Sequence, residues 1–380
     1  MNVKSTLAAF AVAASVLGGQ ALAQDTIKIP GVLELSGGGA ISGTNFRDGV
    51  VMAFEDINAG GGVLGKKLVL ETVDTASDPG KARAAVQRAL DDKPAVIFGP
   101  VFSGSVNATL PMTAEAKVPQ VIGGEAANIT SQGSAYIFRT SFGQNVSMPK
   151  IANYLRDGVK AKTLAIVYVN NDFGKGGRNA IMKELESRGI KVVADLSIEA
   201  GQADFAADVV KVKGATADAV FVYLNEEESA RFLIEAKKQG LDKPLIGETT
   251  LLGQKVIDLA KDAANGVKGH VGLTIDAPSP LVAEFAKKFE AKFKYKPDHN
   301  GMKGYLGAYL FKTATEKAGK FDPVAIAAAM HGLTISPDKV PGILIEATWD
   351  DTGEIDRISY LAEVKNGKQV ITETLPKLKK

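Results

Sequence analysis

The period of the apolar positions switches repeatedly along this chain. IKIPGVLE (Ile27–Glu34) is a strand-like run. In the TNFRDGVVMAFEDINAGGG that follows, Phe46, Val50, Ala53, Phe54 and Ile57 recur near i, i+4 and i+7, the spacing of one helix face. Gly60–Gly62 stop that helix. KLVLETVD alternates as a strand, and DPGKARAAVQRALDD opens with Asp78-Pro79, a helix start with proline at its first position. PAVIFGP is a short apolar strand, GSVNATLPMTAEAK a helix and VPQVIGG a further strand. After Ser147 the alternation resumes. Strands TLAIVYVN, KVVADLSI and DAVFVYL are each followed by a helix: GGRNAIMKELESRG, DFAADVVKVKG and EESARFLIEAKKQG.

Short apolar strands alternating with helices define βαβ units and parallel sheets, with right-handed crossovers placing helices on both faces. Two such sets predict an α/β protein of two doubly wound, Rossmann-like lobes. The later chain departs from the pattern. SPLVAEFAKKFEAKFKY and NGMKGYLGAYLFKTATEKAG are long helical stretches, and GILIEATWDDTGEIDRISYLAEVKNGKQV is β-rich, with Asp-Thr-Gly and Asn-Gly turns predicting hairpins. No Pro/Ser/Gly linker separates the lobes, so more than one tight crossing joins them.

Composition narrows the function. The 45 Lys+Arg balance 43 Asp+Glu, so no broad field draws nucleic acid or an anionic membrane. There is no cysteine, which excludes thiolate catalysis and Cys-ligated metal. His270, His299 and His331 lack metal-ligand spacing and read as surface or loop histidines. Residues 1–23 combine a basic start (Lys4), an apolar run from Leu7 to Leu17 and Ala21-Leu22-Ala23, the pattern of a secretory signal peptide cut after Ala23. The mature protein is expected to be exported and soluble. GKGGRNA lacks the Gly-Lys-Ser/Thr ending of a phosphate loop, no G-x-S-x-G occurs, and SGGGAISG (Ser36–Gly43) misses the dinucleotide pattern. The glycine-rich stretch reads as an adaptable crevice rim. No enzyme and no cofactor are expected.

In open parallel sheets ligands bind beyond the carboxyl ends of strands. The residues standing there are Ser103 after AVIFGP, Gly123 and Glu125 after VPQVI, Phe173 after LAIVYVN, Asn225 and Glu226 after DAVFVYL, and Glu248 after KPLIG. Ser103 sits where free helix N–H groups point into the crevice; its hydroxyl either caps the helix or joins those groups in binding a carboxylate. The Gly123 carbonyl with Glu125 receives an ammonium. Carboxylate donor beside ammonium acceptor describes an α-amino acid. Tyr305 falls on an apolar helix face, and Arg139 suits a pairing with an acid at a lobe boundary.

GVLELSGGGA, then DGVVMAFEDINAGGGVLGKKLVLETVDTASDP, resembles the N-terminal signature of the leucine/isoleucine/valine-binding periplasmic proteins, the solute receptors of ABC importers. YVNNDFGKGGRNA, EAKKQGLDKPLIGE and GYLGAYLFKTATEKAG follow in the family's order, so the similarity spans essentially the whole mature chain. The resemblance implies a periplasmic binding protein of type I, two lobes joined by three crossings, here 24–143 plus 272–347 and 144–271 plus 348–380. It implies a ligand carboxylate at Ser103, an ammonium at Gly123, Glu125 and Glu248, and walls at Phe173, Asn225 and Tyr305. Glu125 stands where amino-acid binders carry Thr or Ser, Asn225 where Tyr is common, and Ser77 and Phe102 where some relatives have a cysteine pair. The implied activity is periplasmic capture of a small carboxylate-bearing solute by hinge closure and delivery to an ABC permease in the inner membrane. The receptor is expected to be a monomer, with a hydrophobic or branched-chain amino acid as solute. An aromatic or other small carboxylate without an amine is the alternative solute, and a secreted enzyme or a sensory module on the same fold the alternative class.

Overall fold

The structure is a computed structural model that describes residues 25–378, so the signal-peptide expectation for residues 1–23 lies outside it. The first lobe begins with Thr26–Leu33 (β1), Ala40–Ala59 (α1), Lys67–Asp74 (β2), Pro79–Asp91 (α2), Ile97–Phe98 (β3), Ser103–Ala116 (α3), Gln120–Ile122 (β4), Asn128–Ser131 (α4) and Ile137–Arg139 (β5). Its five strands form a parallel sheet in the order β2-β1-β3-β4-β5. Local chemistry shows why the helices begin and end where they do. Asp78 caps α2 by accepting from Lys81 N–H at 2.7 Å, with Pro79 first inside, as the sequence predicts. On α1, Phe46, Val50, Ala53, Phe54 and Ile57 are all buried, each large side chain contributing about 1.5–3 kcal/mol. Past its end Gly61 and Gly62 take φ of 99° and 77°, open to glycine at little cost.

The second lobe starts with Gln144–Asp157 (α5), Thr163–Val169 (β6), Asp172–Glu186 (α6), Lys191–Ile198 (β7), Ala206–Gly214 (α7), Ala219–Tyr223 (β8), Glu226–Lys238 (α8), Leu245–Gly247 (β9), Gln254–Ala260 (α9) and Lys268–Val271 (β10). The chain then returns to the first lobe with Pro280–Phe293 (α10), His299–Ala318 (α11), Pro323–Met330 (α12), Thr334–Ile335 (β11), Ala347–Trp349 (β12) and Ile355–Asp356 (β13). It ends in the second with Ser359–Lys365 (β14) and Lys368–Leu375 (β15), in the sheet order β15-β14-β10-β9-β8-β6-β7. Both predicted hairpins are present. β12 and β13 flank the Asp-Thr-Gly turn, and β14 and β15 join through Asn366-Gly367 at φ 49° and 76°.

The chain therefore passes between the sheets three times, after β5, β10 and β13. Arg357 ties the crossings together: its guanidinium donates to Gly272 O (3.4 Å) and Thr140 O (3.3 Å) and lies 4.5 Å from the centre of the Phe142 ring. The three-stranded sheet β11-β12-β13 belongs with the first lobe. Trp349 Nε1 donates to Arg139 O (2.8 Å) and Arg139 N–H to Gly353 O (3.0 Å). A boundary at 347/348 falls inside β12.

α11 lies against α1, and two glycines bring them close. A Cβ on Gly49 would stand 2.0 Å from Gly301 O, and one on Gly304 2.1 Å from Phe46 O. That approach carries the first turns of α11 toward the gap between the lobes. The glycine-rich Ser36–Gly43 stretch stands at the crevice, with Ser42 in the cleft lining. It forms a short 3-10 turn leading into α1, where a Cβ on Gly43 would meet Glu34 O at 2.0 Å.

Candidate functional site in the cleft between the lobes

In each lobe the parallel strands reverse their order of laying down beside the first strand, between β1 and β3 and between β6 and β8. Loops leaving such a switch point diverge and open a crevice. The two crevices face each other across a partly open cleft, about 340 Å³ of space not filled by atoms when its solvent-open part is counted. From the first lobe it is lined by Ser42, Val101, Phe102, Ser103, Gly123 and Glu125, and from α11 by His299, Asn300 and Lys303. The second lobe supplies Phe173, Asn225, Glu226 and Thr250.

Ser103 is the first residue of α3, not its cap; Phe102 holds that place. Its N–H, in the first turn, has no acceptor within its own helix. Its hydroxyl accepts from Glu125 N–H (3.2 Å) and Ala126 N–H (3.1 Å), tying the loop after β3 to the loop after β4. Buried Glu34, at the end of β1, accepts from Val101 N–H (3.0 Å) and Phe102 N–H (3.2 Å) and sets the approach to that helix. Behind the second loop, Arg139 donates to Gly124 O (2.7 Å) and Ala126 O (3.1 Å) and pairs with Glu354 (3.1 Å), the acid the sequence could not name.

Glu125 is buried and paired with Lys303 at 2.8 Å. Burial raises its pKa, against the pull of the Lys303 ammonium. Lys303 also reaches Asn300 Oδ1 at 3.3 Å. Across the cleft, Glu226 at the start of α8 accepts from Ser42 Oγ (2.8 Å) and Asn300 Nδ2 (3.2 Å), one acid of the second lobe held by two helices of the first. Burial again raises its pKa, partly offset by the Ser42 bond. Asn107 Nδ2 to Asp172 Oδ2 (2.8 Å) is a second contact between lobes. The lobes are closed on each other.

Five of the expected site residues, Ser103, Gly123, Glu125, Phe173 and Asn225, come together in this cleft. Two do not line it. Tyr305 is core: its hydroxyl donates to Asp56 (2.7 Å) and its ring packs on Phe285 and Tyr309. Two residues at 100° each turn it about 200° from Lys303, to the far side of α11. Glu248 lies behind the wall, accepting from Thr249 Oγ1 (2.7 Å) and facing His270 Nδ1 at 3.1 Å. His270 and His299 are buried rather than surface histidines, because each packs at the base of a strand or helix reaching the cleft. Burial, with Lys150 and Arg357 nearby, holds His270 well below the usual imidazole range. Ser42, His299, Asn300 and Lys303 were not legible from the sequence; the glycines at 49 and 304 are the signal of the close helix pair that brings them in.

Burial pushes Glu248 from 4.5 up to about 7. A carboxyl that holds its proton more tightly when folded favours folding fully below pH 4.5, loses that contribution as pH rises to 7, and lacks it above. Glu248→Gln keeps an acceptor for Thr249 without the charge. Its stability relative to wild type is expected to improve by up to roughly 3 kcal/mol at pH 8, the gain shrinking toward zero as pH falls below 4.5. Denaturant titrations at several pH values check this; a difference independent of pH would contradict it.

Two facing lobes closed over a small polar cleft define a solute-binding receptor. The periplasmic binding protein family model matches residues 26–369, and the chain belongs to that family: it is a solute-binding protein of the ABC-transporter kind and not an enzyme. It is 29% identical over 314 residues to the leucine-, isoleucine-, valine-, threonine- and alanine-binding protein of Pseudomonas aeruginosa, covering 82% of this chain and 84% of that one. A branched-chain amino acid transporter substrate-binding protein of Streptococcus pneumoniae, solved with isoleucine, superposes with TM-score 0.82 at 24% identity over 93% of this chain and 100% of that one. A solute-binding protein of an ABC transporter from Rhodopseudomonas palustris, solved with 3,4-dihydroxybenzoic acid, gives TM-score 0.84 at 25% identity over 93% and 98%. No described helix is long and apolar enough to cross a membrane.

Proposed function

We propose that this receptor captures a small zwitterion, an α-amino acid, in the periplasm and hands it to an ABC permease of the inner membrane. The observation that carries the reading is the charge of the cleft. Its lining holds two carboxylates, Glu125 and Glu226, against one ammonium, Lys303. An anion without an amine meets net repulsion there; a zwitterion does not. The Ser103 N–H and hydroxyl, at the N-terminus of α3, receive the solute's carboxylate. The Gly123 carbonyl and the oxygens of Glu125 and Glu226 receive its ammonium, in place of the expected Glu248. Phe173 and Asn225 wall the solute from the second lobe.

The moving bodies are 25–143 with 272–357 and 144–271 with 358–378, since β12 and β13 bond to the first lobe. Solute adds contacts that exist only when the lobes close, which is what favours closure. The receptor acts as a monomer, exported by the signal peptide. A micromolar complex corresponds to about 8 kcal/mol. The test is thermal unfolding with the twenty amino acids and with matched acids lacking the amine, benzoate among them. At least one amino acid is expected to raise the melting temperature while its amine-free counterpart does not; stabilisation by the amine-free acids alone would refute the reading.

A further inference from the structure

The zwitterion reading covers only the head of the solute, and this inference rests on it. Apolar side chains in the cleft lining come from Val101, Phe102 and Phe173. The rest of the wall is polar and shielded from water: Asn225 is 6% exposed, Thr250 7% and His299 3%. His299 Nδ1 is buried without a hydrogen-bond partner among the described residues. Burial, with the Lys303 charge, keeps its imidazole neutral. Asn225 reaches Glu228 through a long 3.4 Å contact from its amide nitrogen, leaving its amide oxygen to accept.

The charged groups, by contrast, hold one another and serve the solute's head rather than its tail. Lys303 is held by Glu125 and Asn300, and Glu226 by Ser42 and Asn300. What remains for the solute's tail is a set of neutral donors and acceptors. A hydrocarbon tail closed against them leaves buried polar groups unpaired, which costs more than its own burial returns.

We propose that the solute's side chain is polar and uncharged, an amide or a hydroxyl met by His299 and Asn225, and that the branched-chain amino acids favoured by the sequence are rejected. Isothermal titration of the full mature chain with serine, threonine, asparagine, glutamine, leucine, isoleucine, valine, lysine and glutamate tests this. At least one of the first four is expected to bind a hundredfold or more tighter than any branched-chain amino acid, because a site built to hydrogen-bond its ligand discriminates strongly against one that cannot reciprocate. A branched-chain amino acid binding as tightly, or lysine or glutamate binding tightest, overturns this inference and leaves the zwitterion reading standing. Silence from all nine, with binding of an amine-free acid, overturns both. His299→Phe is expected to weaken the preferred polar amino acid at least tenfold and narrow its advantage over leucine; Asn225→Leu, in the opposite lobe, serves the same purpose if the first variant does not fold. An unchanged preference in a folded variant removes the assigned recognition role.

Discussion

Lys303→Met is expected to cost 3–5 kcal/mol of stability, the scale for removing one partner of a buried ion pair, and to abolish solute binding. Lys303 and Glu125 have side chains 4% and 9% exposed, 2.8 Å apart. Without the ammonium, Glu125 must either stay ionised with no partner or take up a proton. Burial already pushes its pKa upward and Lys303 is the largest influence opposing that, so the variant is driven toward the neutral acid. The cleft then loses one charge of each sign and the acceptor strength an ammonium needs. The double variant Lys303→Met/Glu125→Gln is expected to recover most of the stability and none of the binding, a cycle that separates the cost of the orphaned charge from the role of the pair. Urea unfolding supplies the first quantity and calorimetry the second. A single variant as stable as wild type would mean the pair is not closed off from water.

Arg139→Met is the second large effect, again 3–5 kcal/mol, and it reaches the site without touching solute. The Arg139 guanidinium is fully buried. It holds Gly124 O and Ala126 O, the carbonyls on either side of Glu125, and pairs with Glu354. Glu354 in turn accepts from Thr130 Oγ1 (3.0 Å) and from Gly143 N–H (3.0 Å) at the first crossing. Removing the guanidinium frees the loop that positions Glu125 and leaves Glu354 facing two lone donors. Arg139→Lys is not expected to rescue, because a point ammonium cannot replace a fork that spans two carbonyls and a carboxylate. Solute affinity should fall by tenfold or more in both variants, and a lysine variant with wild-type affinity would show that charge alone suffices.

The sequence was legible where function follows local pattern. The switch between period 2 and period 3.6 placed the strands, and the rule that ligands sit beyond strand ends picked out Ser103, Glu125, Phe173 and Asn225 before any contact was known. It failed where the chain folds back from far away. Lys303, Asn300 and His299 reach the cleft only because α11 presses on α1 through glycines, a contact between residues some 250 positions apart that no local period encodes. Helical phase also separated Lys303 from Tyr305, which the family pattern had placed in the wall. The family pattern had placed Glu248 at the ammonium; in the fold its Oε1 is taken by Thr249 and faces His270 behind the cleft lining, while its Oε2 has no partner among the described residues. Arg139 was correctly read as the partner of an acid; which acid depended on a hairpin more than 200 residues later.

The central claim is that the interlobe cleft grips an amino acid by its two ends. It is tested most directly by a crystal structure of the protein grown with the amino acid that stabilises it most. The expected density is a single solute enclosed between the lobes, its carboxylate within hydrogen-bond distance of the Ser103 N–H and its ammonium facing Glu125 or Glu226. A solute bound outside this cleft, or one lying within it with its carboxylate turned away from Ser103, would contradict the claim.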